Sequence, residues 1–244
     1  MLGSIGLVGS GEYLPIMEPF ESDLVQAGLD RGKNPKYVQL ATAAGNESYN
    51  SLQHWRELGK QQADRIGVEA VFIPAFNRDD AHKKEFLDLI DDAALIYFSG
   101  GDPIHLANSL INTPLINRIH ANWAAGSSVA GCSAGAMALA AEVANPFKLT
   151  SAATAGLGFV PNLKILPHFD RYFGWIPTSM AKFIGKAGAG ILPIGIDENT
   201  AIVSTSNLDN WEIWGLGKVQ LLNKSDRTFT AGDKLVLSQE LTKH

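Results

Sequence analysis

Hydrophobic residues in this chain gather into short runs that are separated by longer amphipathic stretches. The runs are rich in β-branched and aromatic residues, and the first five each end in a loop of small or glycine residues. Short strands that alternate with amphipathic helices are typical of a mostly parallel sheet. The pattern therefore predicts an α/β fold in which a mostly parallel sheet is flanked by helices.

The predicted elements fall into two parts. The first five strands are Ile5–Val8, Tyr37–Ala41, Ala70–Pro74, Leu95–Phe98 and Val129–Cys132. The helices between them are about Pro19–Ala27, Ser51–Ile66, Asp80–Asp91 and Pro114–Ala125, the last with a cap at Thr113. After about residue 160 hairpin spacing predicts an antiparallel extension of the same sheet. Its strands are Asn162–Leu166, Ile194–Ile196, Ala201–Ser204, Trp211–Trp214, Lys218–Leu221 and Leu235–Leu237. Without a repeat or a linker, residues 1–244 are predicted to form one domain.

The composition indicates the general class and location of the protein more than its chemistry. Apolar residues make up 45% of the 244 residues, which is enough for a large core, and a single cysteine excludes an internal disulfide. A net charge of −5 without a basic cluster argues against a nucleic-acid partner. The chain shows neither a membrane span nor a signal-peptide pattern, so a cytoplasmic location is predicted. The oligomeric state stays open, a homodimer included.

Two adjacent nucleophiles stand in the stretch VAGCSAGAMALA, between the fifth strand and a helix-forming run. A tight strand-to-helix turn that presents a nucleophile needs a small residue two positions before the nucleophile and another two positions after it. Gly131 and Gly135 centre that turn on Ser133, whereas a turn centred on Cys132 would be flanked by alanines. Ser133 is therefore the candidate nucleophile and Cys132 a buried strand residue. The alternative is a small-residue turn that serves packing alone.

A second glycine-rich loop follows the fourth strand, at Phe98-Ser99-Gly100-Gly101-Asp102-Pro103. Acyl transfer needs two backbone N–H donors for the oxyanion, commonly one from the residue after the nucleophile and one from another loop. Ala134 with Gly100 and Gly101 would provide these donors. The alternative is that the loop is only a turn into the next helix.

A serine hydroxyl also needs a base, and histidine is the usual one. His168 ends an apolar run and is the candidate, with a histidine that merely caps a core strand as the alternative. His105 falls in the first turn of a helix and could reach the site's rim, although a surface position suits it better. The others are predicted to be solvated or terminal: His54, His82, His120 and His244.

The third group must be a carboxylate that holds the other imidazole nitrogen. Asp197 and Glu198 lie between two apolar strands, and the pattern alone leaves the choice between them open. No histidine pair or carboxylate set is spaced for a metal ion, so no cofactor is predicted. The stretch Gly9–Leu14 begins like a dinucleotide loop but lacks the third glycine.

With these residues in place, the chain resembles the S51 peptidases, which include cyanophycinase and aspartyl dipeptidase E. The matching segments run in family order: Leu7–Glu12, Phe98–Asp102, Ala130–Ala136, Gly156–Phe169 and Gly195–Ala201. The resemblance implies a flavodoxin-like fold of the class I glutamine amidotransferase-like type. It implies a serine-type peptidase, of an exopeptidase or omega-peptidase kind, that acts on a small peptide or amide. Ser133 would be its nucleophile, His168 its base and Glu198 its acid.

The segment after the candidate base departs from the cyanophycinase pattern, in which several arginines follow the histidine. Here only Arg171 is basic, and the residues after it include the aromatic side chains Tyr172, Phe173 and Trp175. Arg171 is predicted to anchor a substrate carboxylate, with an exposed surface arginine as the alternative, and Asp102 is a further substrate-binding candidate. The rival function is a non-catalytic or glutamine amidotransferase-like protein that uses the same pocket to bind a ligand.

Overall fold

Strands and helices alternate through the first part of the chain, as the hydrophobic pattern predicts. The computed structural model describes residues 1–143, 154–172 and 186–242. The strands of this part are β1 (Ile5–Val8), β2 (Asn34–Leu40), β3 (Glu69–Ile73), β4 (Ala93–Phe98) and β5 (Ser128–Cys132). The helices are α1 (Glu18–Asp30), α2 (Tyr49–Ile66), α3 (Lys84–Ile90), α4 (Pro103–Leu110), α5 (Pro114–Ala124) and α6 (Ala134–Leu139). The five predicted strands are confirmed, but the predicted helix Asp80–Asp91 is a 3-10 turn at Asp80–His82 followed by α3.

Local capping explains where several helices begin. The Thr113 hydroxyl accepts a hydrogen bond from the Ile116 N–H, and Pro114 follows as the first helical residue, so the predicted start of α5 is confirmed. The Ser48 hydroxyl accepts from the Ser51 N–H at the start of α2. These side chains satisfy backbone N–H groups that have no partner inside the helix.

The second part of the chain consists mainly of short strands. These are β6 (Glu142–Val143), β7 (Thr154–Ala155), β8 (Leu163–Leu166), β9 (Leu192–Ile196), β10 (Thr200–Ser204), β11 (Asn210–Gly215), β12 (Val219–Leu221), β13 (Thr228–Phe229) and β14 (Lys234–Val236). Two short helices complete it, α7 (Phe169–Tyr172) and α8 (Leu237–Leu241). The strand predicted at Leu235–Leu237 therefore ends one residue earlier, where α8 begins.

The strands of the described residues form two larger sheets and a two-stranded ribbon of β6 and β7. The main sheet has the order β14-β11-β10-β1-β5-β4-β2-β3, with parallel pairing from β1 to β3 and antiparallel pairing from β1 to β14. The predicted antiparallel extension is right for β10, β11 and β14. It is wrong for β8, β9 and β12, which form a separate sheet with β13, a strand that the pattern does not predict. In this sheet β8 and β9 are parallel. Hairpin spacing cannot show that the chain leaves one sheet for the other between β9 and β10.

Alternation along the central strands buries side chains on both faces of the main sheet. In β4, Ile96 and Phe98 belong to one core cluster, and Leu95 and Tyr97 belong to the cluster on the other face. A parallel sheet that is covered on both sides has such continuously apolar strands. This rigid support holds the loops at the carboxyl ends of its strands.

Candidate active site

The loops that follow β1, β4 and β5 emerge side by side. Val8 of β1 pairs with Cys132 of β5, and Phe98 of β4 pairs with Gly131 of β5, so these three strands end at the same level. Ligands of open parallel sheets bind at this edge. The loop between β9 and β10 reaches the same place, because Ala201 pairs with Val8 in the antiparallel sense.

The turn between β5 and α6 is centred on Ser133. This residue has φ +50° and ψ −112°, a conformation that a residue with a side chain adopts only where the surrounding structure enforces it. A Cβ on Gly131 would lie 2.5 Å from the Gly135 carbonyl carbon, and one on Gly135 would lie 2.3 Å from the Phe98 oxygen. Both positions therefore require glycine, in agreement with the glycine spacing from which the sequence analysis centred the turn on Ser133.

Cys132 occupies the last position of β5, with its side chain fully buried. Its thiol donates a hydrogen bond to Glu12 Oε2 at 2.8 Å. Burial, together with the nearby Glu12 carboxylate, raises the pKa of the Cys132 thiol well above its usual range. Because the thiolate is the reactive form, this cysteine is a poor nucleophile.

His168 lies next to Ser133, although the two residues come from different sheets. Its Nε2 is 3.1 Å from Ser133 Oγ, within hydrogen-bonding distance. It follows β8 at a backbone φ of +49°, and its backbone N–H donates to the Gly9 oxygen at 3.3 Å. The ring of Tyr172 packs edge-on against the imidazole, with ring centres 5.5 Å apart.

The two candidate acids of the β9–β10 loop face different partners. Glu198 Oε1 is 2.7 Å from His168 Nδ1, whereas Asp197 Oδ2 accepts a hydrogen bond from the Lys218 N–H at 2.8 Å. The hydrogen bond with His168 is the main reason that the pKa of Glu198 lies below its usual value. Burial raises the pKa of Asp197 instead. The geometry thus brings Glu198, and not Asp197, to the imidazole.

The glycine loop after β4 lies beside Ser133, but the N–H of its first glycine already has a hydrogen-bond acceptor. The Gly100 N–H donates to Glu12 Oε1 at 3.2 Å. Gly101 has φ +136° and passes so close to the loop after β2 that a Cβ on it would lie 2.6 Å from the Ala43 oxygen. Ala134 is the first residue of α6, where helical N–H groups have no partner inside the helix.

The two predicted substrate-binding residues have protein partners here. Asp102 Oδ1 accepts hydrogen bonds from the Ile104 and His105 N–H groups, which caps α4. Arg171 has a largely exposed side chain, and its Nη1 is 3.4 Å from Glu198 Oε1. Substrate contact by either residue stays a prediction. Tyr172 is exposed, and the aromatic residues Phe173 and Trp175 lie outside the described residues.

Other histidines differ in part from the sequence-based expectation. The pattern predicts a solvated His120, but this residue is half-buried, stacks on Phe159 with ring centres 3.8 Å apart and has Nε2 2.9 Å from the Leu157 oxygen. Burial lowers the pKa of His120. The His105 ring, on α4, is hydrogen-bonded to the Phe76 oxygen at 2.8 Å and to Asn46 Nδ2 at 3.1 Å, so it joins the loops after β2 and β3. Two histidines are exposed as expected, namely His54 and His82, and His244 lies outside the described residues.

Glu12 is the residue of this site that the sequence pattern does not single out. The stretch that contains it stands out as an incomplete dinucleotide loop and as the first segment of the S51 resemblance, but neither observation gives Glu12 a role. Its carboxylate joins the loop after β1 to the loop after β4 through the Gly100 N–H and to the end of β5 through the Cys132 thiol. Its position four residues beyond the end of a central strand is the signal that could have found it.

A metal ion finds no ready site in the described part of the chain. No three histidine, cysteine or carboxylate side chains of those residues are grouped so that they could hold one. The same residues contain no helix that is long and apolar enough to cross a membrane.

Comparison with known proteins identifies the family. Residues 31–207 match the model of peptidase family S51. A cyanophycinase from Synechococcus elongatus is 28% identical over 72% of this chain and 54% of its own length, so the chain spans about half of that relative. The crystal structure of a peptidase from an acI-B1 Actinobacterium is 48% identical, with 97% of each chain covered and a TM-score of 0.90.

A more distant structure shares the fold alone. It comes from Listeria monocytogenes EGD-e, is 18% identical and superposes with a TM-score of 0.63 over 89% of this chain and 100% of its own. The α/β fold with a mostly parallel sheet is therefore shared well beyond close sequence similarity. Since the family model covers more than half of the chain, this protein belongs to peptidase family S51.

Proposed function

We propose that this protein is a serine-type peptidase that cleaves a short peptide or amide through an acyl-enzyme. The observation that carries the proposal is the continuous path from Ser133 Oγ to His168 Nε2 at 3.1 Å and from His168 Nδ1 to Glu198 Oε1 at 2.7 Å. A nucleophile, a base and a group that orients the base, each within hydrogen-bonding reach, is the arrangement that activates a serine hydroxyl.

The chemistry follows from these contacts. His168 Nε2 takes the hydroxyl proton as Ser133 Oγ adds to the scissile carbonyl carbon. When the carbon–nitrogen bond breaks, the imidazolium returns that proton to the leaving amine. A water molecule then hydrolyses the acyl-enzyme by the same steps. Glu198 accepts the hydrogen bond of the Nδ1 proton and stabilises the imidazolium, and the Ala134 N–H with the Gly100–Gly101 loop would bind the oxyanion.

Reaction with a fluorophosphonate tests this proposal, because such a probe modifies an activated serine. We expect one equivalent of label on Ser133 of the folded protein, located by peptide mass spectrometry. Absence of label on folded protein would contradict the proposal and favour the rival function, a non-catalytic or amidotransferase-like protein. The buried, high-pKa thiol of Cys132 argues against cysteine-based amidotransfer.

A further inference from the structure

The acid and the base of the proposed triad are joined by a second contact, which runs through the backbone. Asp170 Oδ1 accepts a hydrogen bond from the Glu198 N–H at 3.0 Å, and Glu198 Oε1 in turn lies 2.7 Å from His168 Nδ1. Asp170 comes only two residues after His168, in the one-turn helix α7. The short helix that follows the base therefore holds the residue that orients the base.

Helix α7 is attached to the second sheet by its first residue, Phe169. The Phe169 side chain is buried against Gly195 of β9, where a Cβ would lie 2.3 Å from Phe169 Cδ2. The last two N–H groups of the helix both donate to the His168 oxygen, at 3.1 and 3.0 Å. The carboxylate of Asp170 thus reaches the β9–β10 loop from a support that is bound both to the sheet and to the base.

Asp170 binds the one point of the β9–β10 loop from which the acid departs. Asp197, before Glu198, is hydrogen-bonded to the segment that precedes β12, and the Asn199 N–H donates to the Ser10 oxygen at 3.1 Å. These bonds fix the two sides of the tip. The peptide group between them, whose N–H belongs to Glu198, is held by Asp170. This peptide group sets the direction in which the Glu198 side chain leaves the backbone.

A cation competes for the same carboxylate oxygen. Arg171 Nη1 is 3.4 Å from Glu198 Oε1, the atom that also faces His168 Nδ1. The Arg171 side chain is 67% exposed, so it can follow a carboxylate that moves toward solvent. Before the reaction the imidazole is neutral, and a Glu198 side chain that is not held in place would be drawn to the charged guanidinium instead.

From these contacts we infer that Asp170 is a positioning residue, which keeps Glu198 on His168 and away from Arg171. The inference rests on the proposed function and adds to the triad a residue that acts only through the acid. With its N–H held, Glu198 keeps Oε1 at the Nδ1 proton. The imidazole then keeps the tautomer and the orientation in which Nε2 accepts the Ser133 proton.

Reaction with diisopropyl fluorophosphate measures this effect without knowledge of the natural substrate. Ser133 Oγ bonds to phosphorus, its proton passes to His168, and fluoride leaves. Asp170→Ala removes the acceptor, and the second-order rate of Ser133 modification should fall by roughly 10- to 100-fold, since a misplacement of about 1 Å can cost that much. Asp170→Leu keeps the size without an acceptor and should do the same, and it replaces an alanine variant that folds poorly.

Two further variants separate the accepted hydrogen bond from a general loss of structure. Asp170→Asn should restore most of the rate, because its side-chain oxygen can accept the same N–H. The matched control is Asp233→Ala. Asp233 Oδ2 likewise accepts a backbone N–H, that of Thr230 at 2.7 Å, but in the turn between β13 and β14. This control should keep the wild-type rate.

Proton NMR reports the position of the acid directly. The proton that His168 Nδ1 shares with a carboxylate gives a low-field resonance, which is identified by its loss in His168→Gln. We expect this resonance in the wild type, in Asp170→Asn and in Asp233→Ala. In Asp170→Ala it should move upfield or disappear by exchange with water. Circular dichroism should show an unchanged fold in that variant, because Asp170 is exposed.

A double-mutant cycle tests the competition by Arg171. In an Arg171→Ala background the acid has no guanidinium to turn to, so Asp170→Ala should lower the rate by a smaller factor than it does in the wild type. An equal or larger factor would exclude Arg171 as the competitor and overturn that part of the inference.

Other outcomes would overturn the role of Asp170 itself. One is a wild-type rate and an unchanged resonance in Asp170→Ala. Another is an equal loss in Asp170→Ala and Asp170→Asn, which would assign the effect to the charge and not to the accepted hydrogen bond. Failure of the proposed function gives a different result: wild-type Ser133 would not react with the probe, while the resonance would still show whether Asp170 holds Glu198 on His168.

Discussion

The choice between two adjacent nucleophiles is made at a single residue. Ser133 holds the partly buried, strained position of the turn, whereas Cys132 is fully buried with a raised pKa. Ser133→Ala should therefore leave the fold intact and reduce kcat/KM by about 10⁴-fold or more. Cys132→Ala is the control and should lower the free energy of unfolding while leaving turnover in place. Loss of turnover in Cys132→Ala alone would reverse the assignment.

The neighbouring acids offer a second test at the same scale. Glu198→Gln keeps the size of the side chain but cannot hold His168 in the required tautomer, so kcat should fall by about 10⁴-fold. Asp197→Asn should change kcat little. The side-chain oxygen of the new asparagine, just after the end of β9, can still accept the hydrogen bond of the Lys218 N–H. Steady-state kinetics of both variants decide which of the two carboxylates orients His168. A larger loss in Asp197→Asn would move the acid to Asp197.

Among the helices, α1 carries a titratable group into the core. Glu21 is fully buried against the sheet, and Tyr37 donates to its Oε2 at 2.8 Å. Burial raises the pKa of Glu21 from 4.5 to about 7. The folded state therefore binds a proton more tightly than the unfolded chain, and its stability falls as pH rises from about 4.5 to about 7.

Replacement of this carboxyl group removes that pH dependence. Between pH 5 and pH 8, we expect the free energy of unfolding of Glu21→Gln to rise by about 2–3 kcal/mol relative to that of the wild type. Urea denaturation at both pH values measures the difference. Asp23→Asn, an exposed change on the same helix, should show no such trend. A difference that shrinks as pH rises would contradict the assignment of a raised pKa to Glu21.

For the whole molecule, the open question is which substrate the assembled site accepts. Cyanophycin presents a guanidinium and a carboxylate on every repeat, both from arginine, and each needs a partner of opposite charge. Arg171 is the one basic residue of the segment from Leu166 to Trp175 apart from the proposed base, and it already lies 3.4 Å from Glu198 Oε1. We therefore expect negligible release of β-Asp-Arg by the purified protein, together with measurable cleavage of some other short amide. Efficient release of β-Asp-Arg would overturn this expectation.

The role of Arg171 can be measured separately on the short amide that is cleaved. If Arg171 anchors a substrate carboxylate, Arg171→Ala should raise KM for a dipeptide with a free carboxylate and leave KM for the dipeptide amide unchanged. Arg56→Ala, an exposed change on α2, serves as the control. An equal change for both substrates would indicate that Arg171 acts through Glu198 and not through the substrate.

Local patterns by themselves determined the elements that need only neighbouring residues. Alternating apolar runs predicted β1 to β5, a capping threonine followed by proline predicted the start of α5, and the glycine spacing centred the turn on Ser133. The end of an apolar run marked His168. Each of these features follows from backbone sterics or periodicity within a few residues, so the chain specifies it without reference to the rest of the fold.

Tertiary structure alone decided which distant groups meet. The separation of β8, β9, β12 and β13 into a second sheet depends on pairing partners that hairpin spacing does not specify. From the residues alone Asp197 and Glu198 were equivalent, and the crossing between the two sheets turned Glu198 to the imidazole. The burial of His120 and the position of Glu12 on the Gly100 N–H also arise from contacts between segments far apart in the chain. Such contacts are set by how the sheets pack, and no local pattern records them.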